Sequence, residues 1–261
     1  MKNIYHYTNA LGFSGILTSK KLWLTESYYL NDPDEIQSGT GQVHIEILRN
    51  LLRIYEDKNE IRQGFEFTLL KSLNDKVKHL RTFNIDYIFI CSFCNDGDLL
   101  SQWKGYANYG EGYSIGISKR YLERIPGCRL KKVIYSEKNK TEIITNIFND
   151  YIQKEDQFKS IGEDAFINNM IEDLFFEATF FKSPFFSEEK EYRLILKYKD
   201  SINIKLRPGE IGLIPYIEID FDLNSIKEII IGPKLDFERN RKSLLLEFKN
   251  EMIKKSSNSL Q

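Results

Sequence analysis

Residues 85–94 read IDYIFICSFC. A short, nearly unbroken apolar run of strand length marks a strand buried on both faces. Such a strand cannot stand alone. The rest of the chain has to supply hydrogen-bonding neighbours for its edges and apolar cover for its faces. Ser92 is the one aliphatic hydroxyl on this strand. It either satisfies a backbone group or holds a ligand amide or ribose.

Partners for the central strand are spread along the chain. Residues 3–8, 21–26, 112–118, 129–136, 190–198, 202–206, 213–220 and 226–232 carry strand patterns with turn signals between them. Helical spacing fills the intervals. NALGFSGILTSK predicts a short helix capped by Thr8 or Asn9. Further helices are expected at about 36–80, around Ser101–Ala107, and at 140–181 and 237–255. Strands at the start, middle and end, with irregular helical insertions, predict an α+β fold rather than a βαβ array. No linker divides the chain. The expectation is a single domain over 1–255, with helical insertions at about 36–80 and 140–181 and a disordered tail at 256–261.

Composition narrows the function classes. The chain has 261 residues, 41% hydrophobic and 29% charged, enough to bury a core without crosslinks. Its formal net charge is −1, so no global field recruits nucleic acid or an anionic membrane. Cys91, Cys94 and Cys128 form an odd set without a disulfide framework, as suits a reducing cytoplasm. CSFC has redox-motif spacing but reads better as strand, and no second pair completes a zinc site. There is neither a signal-peptide pattern nor an apolar run of roughly 18 residues. The expected location is the cytoplasm.

The chemistry-bearing residues fall in four places. In SEEKEYRLILK, alternation puts Glu189, Glu191 and Arg193 on one strand face, and Tyr192, Leu194, Leu196 and Tyr198 on the other. An edge strand with a solvated face explains this pattern. So does sugar chemistry, in which a carboxylate stabilises an oxocarbenium ion. SQWKGYANYGEGY gathers Trp103, Tyr106, Tyr109 and Tyr113 among glycines, either as core packing or as a wall for a flat ring. Its glycines spell no phosphate-binding motif. NDPDE offers Asp32, Asp34 and Glu35, read as a turn into a helix before a cation site, so no metal is expected. His44 and His79 sit on charged helical segments and read as surface residues. In NIYHYTN, His6 shares a strand face with Ile4 and Thr8, while Tyr5 and Tyr7 face away as packing residues.

The blocks YHYTN…ILTSKKLWLTESYYLNDPDE, CSFC…LLSQWKGYANYGEGYSIGI, KSPFFSEEKEYRLIL and EIIIGP occur in an order that resembles a large, mostly bacterial family of uncharacterised proteins. That family is known only as a domain of unknown function. The resemblance covers roughly residues 4–235. This chain has CSFC where the family often shows Cys-Phe-Ser, and Phe185 or Phe186 where a tryptophan is usual. More remotely, a histidine on the first strand, a serine on a middle strand and Glu-x-Glu on a late strand are similar to the ADP-ribosyltransferase superfamily. That resemblance implies two small antiparallel-rich β-sheets with NAD, as substrate, in the cleft between them. It implies Glu191 as the catalytic glutamate and Glu189 as its partner. His6, Thr8 and Ser92 would hold the NAD ribose or its nicotinamide side. Tyr28, Tyr29, Trp103 or Tyr106 would stack on nicotinamide. Arg193 would meet the pyrophosphate or pair with Glu189. The ADP-ribose would pass to a protein, a nucleic acid or water, in bacterial stress or phage defence. The alternatives are a non-catalytic nucleotide sensor in such a system, and a metal-dependent hydrolase or nuclease built on Asp32, Asp34 and Glu191.

Overall fold

The computed structural model describes residues 2–30, 41–43, 45–50, 64–79, 87–198, 203–209 and 212–259. Asp32, Asp34, Glu35, His44 and the side chain of His79 lie outside the described residues. The fold is α+β, with an open, mostly antiparallel sheet. The chain divides into two compact units.

The first unit comprises Met1–Leu30, Tyr87–Val133 and Ser187–Gln261 and carries the sheet. Its strands are β1 (Asn3–Asn9), β2 (Lys21–Glu26), β3 (Tyr87–Cys94), β4 (Gly112–Ser118), β5 (Cys128–Lys132), β6 (Glu191–Tyr198), β7 (Lys205–Gly209), β8 (Gly212–Asp220), β9 (Ile226–Ile231) and β10 (Ile253–Lys255). One group runs β10-β9-β4-β1 and another β2-β8-β7. β3, the apolar strand at residues 87–94, joins them into one branched sheet. Along its whole length one edge pairs with β6, from Tyr87↔Tyr198 to Cys94↔Glu191. Its other edge is shared: Phe89 and Ile90 pair with β2, and Cys94 pairs with Tyr5 of β1. Between those contacts β1 and β2 diverge, leaving residues 91–93 without a strand on that edge.

Strand alternation gives the sheet two different faces. On one, Ile4, Leu24, Phe89, Phe93, Ile115 and Leu194 form the main core. It is covered by the helix Ala10–Ser19 through Phe13 and Ile16, and by the helix Phe237–Leu244 through Leu244. Asn9 caps the first of these, accepting from Gly12 N at 2.8 Å. On the other face a smaller cluster joins Tyr7, Cys94, Trp103, Ala107 and Ile230.

The second unit comprises Asn31–Asp86 and Ile134–Phe186, the two stretches read from the sequence as helical insertions. They share one core. Leu69 and Leu73 of the helix Phe65–His79 belong to one cluster with Ile144 and Phe148 of Glu137–Ile152, and with Phe166, Met170 and Leu174 of Glu163–Ala178. Gly162, at φ 84°, turns the chain into the last of these helices, a conformation other residues rarely adopt.

Two expectations fail near the C-terminus. The helix predicted over 237–255 stops at Leu244. The chain then turns back, and Ile253–Lys255 adds a parallel strand beside Ile229–Ile231. The tail read as disordered is tied down as far as Asn258, because Ser256, Ser257 and Asn258 all hydrogen-bond to Asp98.

Candidate functional site

The site is built outward from Ser92. Its hydroxyl donates to Glu191 Oε1 at 2.8 Å. Its carbonyl lies 3.1 Å from His6 Nδ1. A carbonyl only accepts, so the proton sits on Nδ1 and the neutral ring keeps a lone pair on Nε2. Burial depresses the His6 pKa, and the bond to Ser92 only partly offsets that. His6 thus takes the place of a missing ladder donor where β1 leaves β3.

Three of the predicted residues therefore meet at one point, but from different sides. His6 shares its face with Ile4, its ring 5.7 Å from Phe93 and its Nδ1 3.8 Å from Cys91 Sγ. Ser92, Glu191 and Arg193 project from the opposite face, because β3 and β6 pair Ser92↔Arg193 and Cys94↔Glu191. The His6 face and the Glu191 face are opposite faces of the sheet, linked here by the peptide and hydroxyl of Ser92.

Glu191 and Arg193 form a forked ion pair, Nε to Oε1 at 2.8 Å and Nη2 to Oε2 at 3.2 Å. The edge-strand reading fails here. β6 has β3 on one side and β5 on the other, so Arg193 is 1% and Glu191 6% exposed. A pair this deep holds only because each charge and its hydrogen-bonding groups are matched. Glu189 is not on the strand. It ends the 3₁₀ turn Pro184–Glu189, and Lys190, at φ 48°, breaks the alternation before β6 begins. Its backbone carbonyl accepts from Cys94 Sγ at 3.0 Å.

Other predicted positions scatter. Thr8 lies under the helix Ala10–Ser19, where a Cβ on Gly12 would come within 2.1 Å of its Oγ1. Trp103 is fully buried, packs edge-on against Tyr7 at 5.0 Å and donates to Asp98 Oδ1 at 2.7 Å. It is core, and the reading of it as a nicotinamide wall is withdrawn. Tyr106, on the same helix, is 39% exposed. Tyr28 and Tyr29 sit in the 3₁₀ turn Ser27–Tyr29, whose first amide bond runs from Tyr28 N to Glu26 Oε2. Cys91 and Cys94 fall on opposite faces of β3, and burial pushes their thiols up to about 12 and about 11. CSFC is therefore strand and not a redox pair.

Sequence reasoning missed Asp98. Its carboxylate accepts from Trp103, Ser256 and Ser257, and its carbonyl from Asn258. Burial alone would raise its pKa, but these bonds hold it below the usual carboxylate range. Tyr7 braces the same loop, donating to Asp96 O and accepting from Leu99 N. No local pattern marks Asp98, since all of its partners except Trp103 lie more than 150 residues away. Among the described residues no group of three His, Cys, Asp or Glu side chains is arranged to hold a metal, and no helix is long and apolar enough to cross a membrane.

Comparison with known proteins gives one match. Residues 102–194 match the model of a family described as a protein of unknown function, DUF2971. The match covers less than half of the chain. It includes Glu191 and Arg193 and leaves His6 and Ser92 outside. No curated protein and no solved structure matches the chain.

Proposed function

We propose that the sheet-bearing unit uses NAD as a substrate, breaking the nicotinamide–ribose bond and passing ADP-ribose to a macromolecule or to water. The observation that carries this reading is the Ser92 linkage, which ties His6 through the peptide and Glu191 through the hydroxyl. Cleavage of an N-glycosidic bond builds positive charge on the ribose. A fixed carboxylate lowers that barrier if its dipoles and charge are aligned in advance. Ser92 and Arg193 fix both oxygens of Glu191, so its orientation needs no reorganisation during the reaction. NAD itself carries the reactive bond, and the protein supplies placement and charge.

A second reading has its own observation. Arg193 already neutralises Glu191 through both oxygens, and the carboxylate is nearly sealed from solvent. That favours a module that binds a nucleotide and signals without turnover.

One assay separates the two. Purified protein is incubated with NAD and candidate acceptors, and free nicotinamide is measured alongside calorimetric NAD binding. Release by the wild type, lost in Ser92→Ala with its fold intact, supports the enzyme. NAD binding without release supports the second reading. Neither binding nor release overturns both.

A further inference from the structure

A different part of the sheet holds a charge that no described residue balances. Arg207 lies on β7 and reaches across β8 to β2, where its Nη2 donates to Thr25 Oγ1 at 3.1 Å. Its Nε is buried and has no hydrogen-bond partner among the described residues. Nor does a described carboxylate face it. The neighbouring cations are matched: Lys205 pairs with Glu218 at 2.7 Å, and Lys21 pairs with Asp220. Arg207 is left as a half-buried guanidinium without a counter-ion among the described residues. Arginine donors left unpaired under cover are costly, and anions are what they bind best.

An aromatic surface stands beside it. Trp23 lies two residues before Thr25 on β2, so both project from the same face. Tyr216, opposite Thr25 in register, packs against Trp23 with ring centroids 4.4 Å apart and planes tilted by 36°. Tyr216 is buried and fixed, whereas Trp23 is 44% exposed and presents its ring outward. A guanidinium with donors to spare next to an exposed, rigidly backed indole suits a ligand with an anion at one end and a flat ring at the other.

We propose that Arg207 and Thr25 bind the phosphate, and Trp23 backed by Tyr216 stacks on the base, of a nucleoside monophosphate. This site shares no residue with the Ser92–Glu191 cluster and does not rest on the NAD reading. Adenosine monophosphate has no nicotinamide–ribose bond, so its binding here and NAD cleavage there succeed or fail separately.

The chain provides its own probe. It has two tryptophans, and Trp103 is fully buried, so an added ligand quenches Trp23 selectively. The full-length protein is titrated with adenosine monophosphate, adenosine and inorganic phosphate while tryptophan emission is followed. The expected result is saturable quenching by the nucleotide, with adenosine at least about tenfold weaker because a charged hydrogen-bond set is lost. Phosphate alone should compete with the nucleotide without quenching. Arg207→Gln should weaken the nucleotide by about tenfold or more, and Trp23→Phe should abolish the signal while calorimetry still detects binding. Should Arg207→Gln fail to fold, Arg207→Lys, which keeps the charge but not the fork, and Thr25→Val make the same comparison. Absence of saturable quenching, equal affinity for adenosine, or wild-type affinity in the folded Arg207 variants overturns the proposal.

Discussion

Ser92 donates its hydroxyl to Glu191 across two paired strands, at 2.8 Å, while the guanidinium of Arg193 holds the same carboxylate from its other side. This arrangement is set by register. Ser92 faces Arg193 and Cys94 faces Glu191, so the hydroxyl reaches its acceptor diagonally on one sheet face.

The pair should behave as a unit in stability. Glu191→Gln leaves a fully buried guanidinium without its counter-charge and should cost about 3 kcal/mol or more in urea unfolding. Replacing both partners, as Glu191→Leu with Arg193→Met, should recover most of that loss, since no charge is then stranded. A single variant that costs under about 1 kcal/mol would show that the pair is more open to water than its burial implies.

His6 should be neutral and protonated on Nδ1 at pH 7, which nitrogen chemical shifts report directly. Its folded pKa lies below the ordinary value of about 6.5, so the unfolded state takes up the proton first. His6 therefore opposes unfolding fully above that value, and its contribution declines as the pH falls below about 6.5. His6→Phe should remove this acid-side slope and leave Ser92 O without its donor. An imidazole titrating at or above its free value would contradict the buried contact with Ser92.

Asp98 gives a second test of the same sign at lower pH. Its pKa is depressed in the fold, so the stability it supplies is present above the unfolded value of about 4 and is lost as the pH drops further. Amide exchange at Ser257, whose N–H bonds Asp98, should accelerate on acidification before the main core opens. Asp98→Asn should release the same segment at neutral pH. Unchanged protection of Ser257 in that variant would mean β10 holds the tail unaided.

Gly97 should tolerate no side chain. A Cβ there would lie 2.4 Å from Cε1 of the Tyr5 ring, whose hydroxyl is anchored on Glu228 at 2.7 Å and cannot swing away freely. Gly97→Ala should destabilise by about 1–3 kcal/mol, read as a lower denaturation midpoint. Combining it with Tyr5→Ala should relieve most of the clash.

Much of the sheet was legible because strand patterning is local. KLWLTE and GYSIGIS form strands over the residues their own pattern marks, 21–26 and 112–118. IDYIFICSFC announced a strand with neighbours on both edges, and β3 has them. Ser92 and Glu191 were each conspicuous, as a hydroxyl on an apolar strand and a carboxylate on another, but their contact is set by the register of β3 on β6. The role of Trp103 was not, because exposed walls and buried anchors share one composition. Arg207 and Asp98 carry no local signal, since Thr25 for the one and Ser256, Ser257 and Asn258 for the other lie far away in sequence.

The sequence by itself determined the α+β class, the positions of most strands and the helical character of the two insertions, because periodicity within a segment decides which face can be buried. Only the tertiary structure decided which faces meet. β6 gains a neighbour on each edge, which turns an apparently solvated Glu-Arg face into a buried ion pair. β1 parts from β2 along one edge of β3, which sends the His6 ring to a backbone carbonyl. Ile253–Lys255 becomes a strand because β9 offers it a free edge. Each of these outcomes depends on pairing between distant segments, and such pairing leaves no trace in the periodicity of either one.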